Sequence, residues 1–95
     1  MSVENITVYG AHWCPDCRRS KQFLGEHQLP YRWVDIEQDK AGERFVLEKN
    51  DGKRIIPTIV FGDGTFLVEP SNTQLARKVG LKMQAKRRLA AGRLG

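Results

Sequence analysis

Two cysteines are the residues best suited to chemistry in this chain, Cys14 and Cys17, standing three positions apart in the stretch Trp13-Cys14-Pro15-Asp16-Cys17. A strand-like apolar run (Ile6, Val8, Tyr9) precedes them and a helix-like run follows. A thiol is a poor nucleophile until it ionises. The first turn of a helix offers unpaired backbone N–H groups and the positive end of the dipole, which favour a thiolate there. The spacing puts Cys14 at the cap and Pro15 at the first helical position, where a missing N–H costs nothing. Cys17 then lies one turn further on, on the same side and within disulfide reach. The pair therefore reads as an attacking thiol backed by a resolving thiol. After a strand and before a helix, Cys-x-x-Cys points to redox exchange rather than to a structural staple.

The elements that must position these thiols follow from pattern. Residues 5–9 alternate as a short strand, and residues 15–28 carry Arg18, Arg19, Lys21 and Glu26 on one side with Cys17, Phe23 and Leu24 on the other. Pro30 ends that helix, because the residue before proline avoids helical angles. Residues 31–36 form a second strand, and so short a strand–helix–strand unit implies a right-handed crossover and a parallel pair. Residues 39–50 form a second helix with Ala41, Phe45 and Val46 inward, stopped by Asn50-Asp51-Gly52. Runs at 58–61 and 65–68 around Gly62-Asp63-Gly64 make a β-hairpin. Ser71 and Gln74 have capping-box spacing for a third helix, with Leu75 and Val79 as its buried face and Gly80 as its breaker. The order β-α-β-α-β-β-α is most simply one four-stranded mixed sheet flanked by three helices.

A chain of 95 residues with 40% hydrophobic content suits one globular domain. The stretch before the first strand lacks the charged and apolar segments of a secretion signal, and no apolar run reaches the roughly 20 residues of a membrane span. A cytoplasmic, monomeric protein is expected, with no membrane partner. Residues 1–70 hold nine basic and eleven acidic side chains, a net of −2, whereas residues 71–95 hold seven basic side chains and no acid. The net +5 thus belongs to the tail, so residues 1–80 are taken as the domain and 81–95 as a basic C-terminal helical extension.

Other assignments for these side chains are weaker. A Cys-x-x-Cys can be half of a zinc site, but only His12 and His27 remain as further soft ligands, and His27 is expected to point outward, so no metal is expected. His12 suits a solvated loop better than a base, and Trp13 either touches substrate or covers the motif's flank. Asp35 and Glu37 are expected to be solvated or paired with Arg32, without acid–base chemistry. The tail cations Lys78, Lys82, Lys86, Arg87, Arg88 and Arg93 have no aromatic residue interleaved for base stacking, and a solvated helix face explains them better than nucleic acid does.

Taken together, Trp13-Cys14-Pro15-x-Cys17 after the first strand, Val34-Asp35-Ile36, and Ile56-Pro57-Thr58 before the hairpin resemble the glutaredoxin family of the thioredoxin superfamily. Within it, Phe61-Gly62-Asp63-Gly64 and Pro70-Ser71 are most similar to the actinobacterial mycoredoxins. The resemblance covers residues 5–80 and implies a thioredoxin-like α/β fold with a cis proline at Pro57 beside Cys14. Glutathione-using members carry a lysine three residues before the first cysteine and a Gly-Gly pair after the last strand. Here Ala11 and Val68-Glu69 stand there, as in mycoredoxins, which shifts weight from glutathione to mycothiol. The implied activity is reduction of mixed disulfides on S-thiolated client proteins, with no bound cofactor and a low-molecular-weight thiol as co-substrate. Cys14 and Cys17 would be catalytic, and Trp13, Pro15, Ile56, Pro57, Ser71 and Asn72 would contact substrate. Asp16 beside Cys14 should oppose thiolate formation. Two alternatives remain: a redoxin fed by thioredoxin reductase that donates hydrogen to another reductase, and a non-catalytic sensing or metal-holding module docking through its basic tail.

Overall fold

The computed structural model describes residues 5–80; the extension expected at 81–95 lies outside them. Strands β1 (Ile6–Gly10), β2 (Tyr31–Asp35), β3 (Thr58–Val60) and β4 (Phe66–Val68) form one sheet in the order β2-β1-β3-β4. β1 and β2 are parallel, and the β1–β3 and β3–β4 pairs are antiparallel. Helices α1 (Pro15–Glu26), α2 (Lys40–Lys49) and α3 (Asn72–Val79) complete the expected order.

The two faces of β1 divide the core. Ile6 and Val8 point to one side, where they meet Phe23 and Leu24 of α1, Leu75 and Ala76 of α3, and Ile59 and Phe61. Tyr9 faces the opposite side and stacks on Phe45 of α2, ring centroids 4.7 Å apart. This is the period-two alternation of a strand buried on both faces. Two details depart from expectation. Ala41 is exposed, and Gly42 takes the inward position instead, because α2 approaches β2 so closely that a Cβ there would lie 2.7 Å from Val34. His27 is half-buried, its ring 4.4 Å from that of Phe23.

Helix ends lie within two residues of the expected positions and have identifiable causes. α1 stops at Glu26 because Gln28 turns left-handed at φ 57° and the N–H groups of Gln28 and Leu29 close on the carbonyls of Gly25 and Leu24. In α2, Asp39 caps the start by accepting the Gly42 N–H. The capping box of α3 is formed: Ser71 Oγ accepts the Gln74 N–H, and Gln74 Oε1 accepts the Ser71 N–H. Lys78 reaches back 2.9 Å to Asp63 in the β3–β4 turn. Among the described residues no helix is long and apolar enough to cross a membrane.

Candidate active site

Cys14 sits between β1 and α1 with extended backbone angles and acts as the N-cap of the helix. Its Sγ accepts the Cys17 N–H at 3.1 Å, taking the part a serine or aspartate oxygen usually plays, and Pro15 occupies the first helical turn as the spacing requires. Cys14 keeps only a 5% sliver of surface, and Cys17 behind it has none. Both are free thiols, packed with Ala11 and flanked by Trp33 and Ile56. Gly10 forms the back wall, since a Cβ there would stand 2.5 Å from the Cys17 Sγ. Burial pushes the Cys17 thiol up to about 12, and its hydrogen bond to Cys14 adds to the rise.

The Ile56–Pro57 bond is cis, as the family resemblance implied. Pro57 is fully buried, and its carbonyl accepts the Glu69 N–H at 2.8 Å, which ties the segment before β3 to the end of β4. The Ile56 side chain is half-buried against the two cysteines, while its N–H donates to no other described residue.

Asp16 does not act as a free carboxylate beside Cys14. Arg19, one turn along α1, donates to it from Nε at 2.9 Å and from Nη2 at 2.6 Å. The same guanidinium reaches the Pro70 carbonyl at 2.7 Å and Asn72 Oδ1 at 2.6 Å, so α1 is latched to the start of α3. Beside this latch lies an open cavity of about 430 Å³ lined by Asp16, Arg19, Glu69, Ser71, Asn72 and Gln74. Ser71 and Asn72 therefore face a cavity next to the motif, although the acceptor atom of each is already engaged within the protein. Arg19 is the residue that sequence reasoning missed. Its i,i+3 spacing from Asp16 was the available signal.

Trp13 is half exposed, and its indole N–H donates to Glu37 at 2.8 Å. Glu37 also lies 3.6 Å from Arg54, which bonds Glu43 on α2. Of the two settings expected for Asp35 and Glu37, solvation or pairing with Arg32, the pairing does not form among the described residues, and Glu37 is exposed. Arg32 and Asp35 are an odd number of residues apart on β2 and so point to opposite faces. Asp35 instead accepts the Glu37 N–H and lies 3.5 Å from His12. His12, Asp35 and Glu37 bring their ligand atoms within 4.8 Å of one another, with Glu37 already held by Trp13 and Arg54.

The family model described as Glutaredoxin matches residues 6–67. Mycoredoxin 1 of Corynebacterium glutamicum is 34% identical over 77 residues, covering 81% of this chain and 95% of that protein. Among solved structures, a mutant of a thioredoxin-like protein superposes with a TM-score of 0.73 at 27% identity, covering 82% of this chain and 97% of the other. The glutaredoxin from Archaeoglobus fulgidus superposes with a TM-score of 0.63, covering 81% of this chain and 85% of the other; at 20% identity that likeness speaks to the fold alone.

Proposed function

The chain belongs to the glutaredoxin family of thiol–disulfide oxidoreductases, and from that premise we propose that it frees protein cysteines from mixed disulfides with a low-molecular-weight thiol, mycothiol before glutathione, in the cytoplasm. The observation that carries this reading is the unequal setting of the two sulfurs. Cys14 caps the helix and touches solvent, whereas Cys17 is sealed behind it with its proton held up to about 12.

The Cys14 thiolate attacks the thiol-side sulfur of a protein–S–S–R disulfide. The S–S bond breaks, the protein thiolate leaves, and Cys14–S–S–R remains. A second R–S⁻ then attacks the R sulfur, giving R–S–S–R and returning the Cys14 thiolate. The competing route, attack by Cys17 on the Cys14 sulfur with loss of R–S⁻, first requires Cys17 to shed its proton. Burial is the main cause of that reluctance in the reduced protein. Release by an external thiol, which needs no proton from Cys17, is the route this reading favours near neutral pH. The Ile56 N–H, unpaired among the described residues, suits strand-like pairing with the client's backbone, and Trp13 supplies an exposed aromatic flank.

Mycothiol is a cysteinyl amino-sugar joined to inositol, rich in hydroxyls and without the carboxylates of glutathione. Ala11 is buried where glutathione users carry a lysine, and the Arg19 cation is spent on Asp16, Asn72 and Pro70. With their oxygens engaged by Arg19 and the Ser71 N–H, Asn72 and Gln74 keep their amide NH2 donors, which suit hydroxyl oxygens.

The test is steady-state reduction of a mixed disulfide fed by mycothiol with its reductase, by glutathione with its reductase, or by thioredoxin reductase alone. Mycothiol-driven turnover that survives Cys17→Ser is expected. Turnover only with thioredoxin reductase, abolished by Cys17→Ser, would move the protein to the hydrogen-donor class, and silence in all three would leave the docking-module reading.

A further inference from the structure

We infer that Glu69 is a specificity-determining residue of the cavity that Asp16, two residues from Cys14, helps to line, a built-in carboxylate that turns away thiols whose own carboxylates would approach the start of α3. The inference rests on the reading of Cys14 as the attacking thiol and deepens it.

The cavity has two opposing tendencies. Asn72 and Thr73 open α3, and their N–H groups, like those of any first helical turn, have no carbonyl one turn back to bond; they form no hydrogen bond to another described residue. Alone, that edge would welcome an anion. The side chains reverse the preference. Asp16 and Arg19 compensate each other through two hydrogen bonds, so their sum at the cavity is near neutral. Glu69 lines the same cavity, is exposed, and forms no ion pair or side-chain hydrogen bond with a described residue. It is the uncompensated charge of the cavity lining, and it is negative.

The backbone shows how Glu69 comes to be there. Its φ is 49°, in the left-handed region that a non-glycine residue enters only under strain, and its N–H is fixed 2.8 Å from the Pro57 carbonyl. Glycine would adopt that geometry freely. A carboxylate-bearing side chain occupies a place where the backbone prefers none, on the loop that joins β4 to α3. The cavity thus offers hydroxyl-matching groups while repelling a second carboxylate.

The experiment uses the Cys17→Ser protein and follows formation of the Cys14 mixed disulfide by mass spectrometry. Two probes are compared: glutathione disulfide, which carries carboxylates, and bis(2-hydroxyethyl) disulfide, which is neutral and bears hydroxyls. In each reaction the Cys14 thiolate displaces one R–S⁻ from R–S–S–R. Glu69→Gln should raise the glutathione-to-neutral rate ratio roughly tenfold at low salt, the scale of one screened charge at close range. Glu69→Lys should raise it further. The gain should collapse at about 1 M salt, where the Debye length is ~3 Å. Glu69→Gly removes both the charge and the left-handed strain, so it should match Glu69→Gln in the ratio while melting higher. An unchanged ratio, a gain that survives high salt, or a shift seen with Gly but not with Gln would overturn the inference alone. No reaction with either disulfide in any variant would overturn the parent reading and this one with it.

Discussion

Gly10→Ala tests the packing that sets the two thiols apart. A Cβ at this position would lie 2.5 Å from the Cys17 Sγ and 3.0 and 3.1 Å from two ring carbons of Trp33. Heavy atoms in contact sit about 3.5–4.0 Å apart, so the misfit against sulfur is about 1 Å. Neither neighbour can yield cheaply. Cys17 is confined by Ala11 and Ile56, and the Lys21 ammonium sits 3.6 Å over the Trp33 ring. Overpacking of this kind costs about 1–3 kcal/mol, against which replacing a strand glycine returns about 0.5–1 kcal/mol. A net loss of about 1–2 kcal/mol corresponds to a fall in Tm of roughly 4–16 °C for a domain of this size. The assay is thermal or urea unfolding of the reduced protein, followed by circular dichroism. Gly25→Ala is the control: it lies inside α1 with no atom within 4 Å of the added methyl, and it should gain about 0.5–1 kcal/mol. The Gly10→Ala/Cys17→Ala double variant should recover part of the loss, with a coupling of about 0.5–3 kcal/mol, because the sulfur is the nearest obstacle. A Gly10→Ala protein as stable as the parent, or a double variant whose losses simply add, would refute the contact between β1 and the Cys17 thiol.

Two further outcomes are expected. The Cys17 thiol is raised from 9.0 to about 12, so below pH 9 it is neutral whether folded or unfolded and the full stability is present. As pH rises from 9 toward 12 the unfolded chain loses this proton first, and stability should fall by up to about 1.4 kcal/mol per pH unit; urea titrations of the reduced protein should show this slope, and Cys17→Ala should lack it. Arg19→Met keeps the aliphatic stem but strips the partners from Asp16, Asn72 and the Pro70 carbonyl, and should cost about 1–2 kcal/mol. It should also slow Cys14 thiolation at low salt by leaving Asp16 uncompensated. Adding Asp16→Asn should restore that rate without restoring stability, and parallel recovery of both would count against the electrostatic explanation.

What could be seen in the sequence was what is local. Cys14 as cap, Pro15 at the first turn and the Ser71–Gln74 box all rest on side chain–backbone contacts within four residues, and the structure forms each of them. The helix ends were readable because each helix stops at a left-handed position or just ahead of a proline, Gln28 before Leu29-Pro30, Asp51-Gly52 after α2 and Gly80 after α3. Long-range partners were not readable. Nothing near Trp13 announces Glu37, 24 residues away, and nothing near Arg19 announces Asn72, 53 residues away. The Ala41 error has the same origin: periodicity counts apolar side chains, whereas the distance between α2 and Val34 admits only a hydrogen at position 42.

The Cys-x-x-Cys motif is symmetric as a pattern and asymmetric as a structure, and the difference arises outside the motif. Both sulfurs belong to one helical turn, and the dipole alone would favour whichever stands nearer the first N–H groups. What separates them further is the strand behind. Gly10 lets α1 approach β1 so closely that the second sulfur loses all contact with water, while the first remains at the rim and receives the second residue's N–H. Desolvation then holds the inner proton in place, while the outer sulfur accepts the Cys17 backbone N–H. A glycine in a strand thus helps assign the roles of two cysteines on a helix. On this argument, substitutions that loosen the β1–α1 contact without touching either sulfur should let the inner thiol ionise more readily and shift release of the mixed disulfide from external thiol toward Cys17, seen as turnover that becomes sensitive to Cys17→Ser. If Leu24→Ala, which opens that contact from the helix side, leaves turnover as indifferent to Cys17→Ser as the parent, strand packing is not what divides the roles.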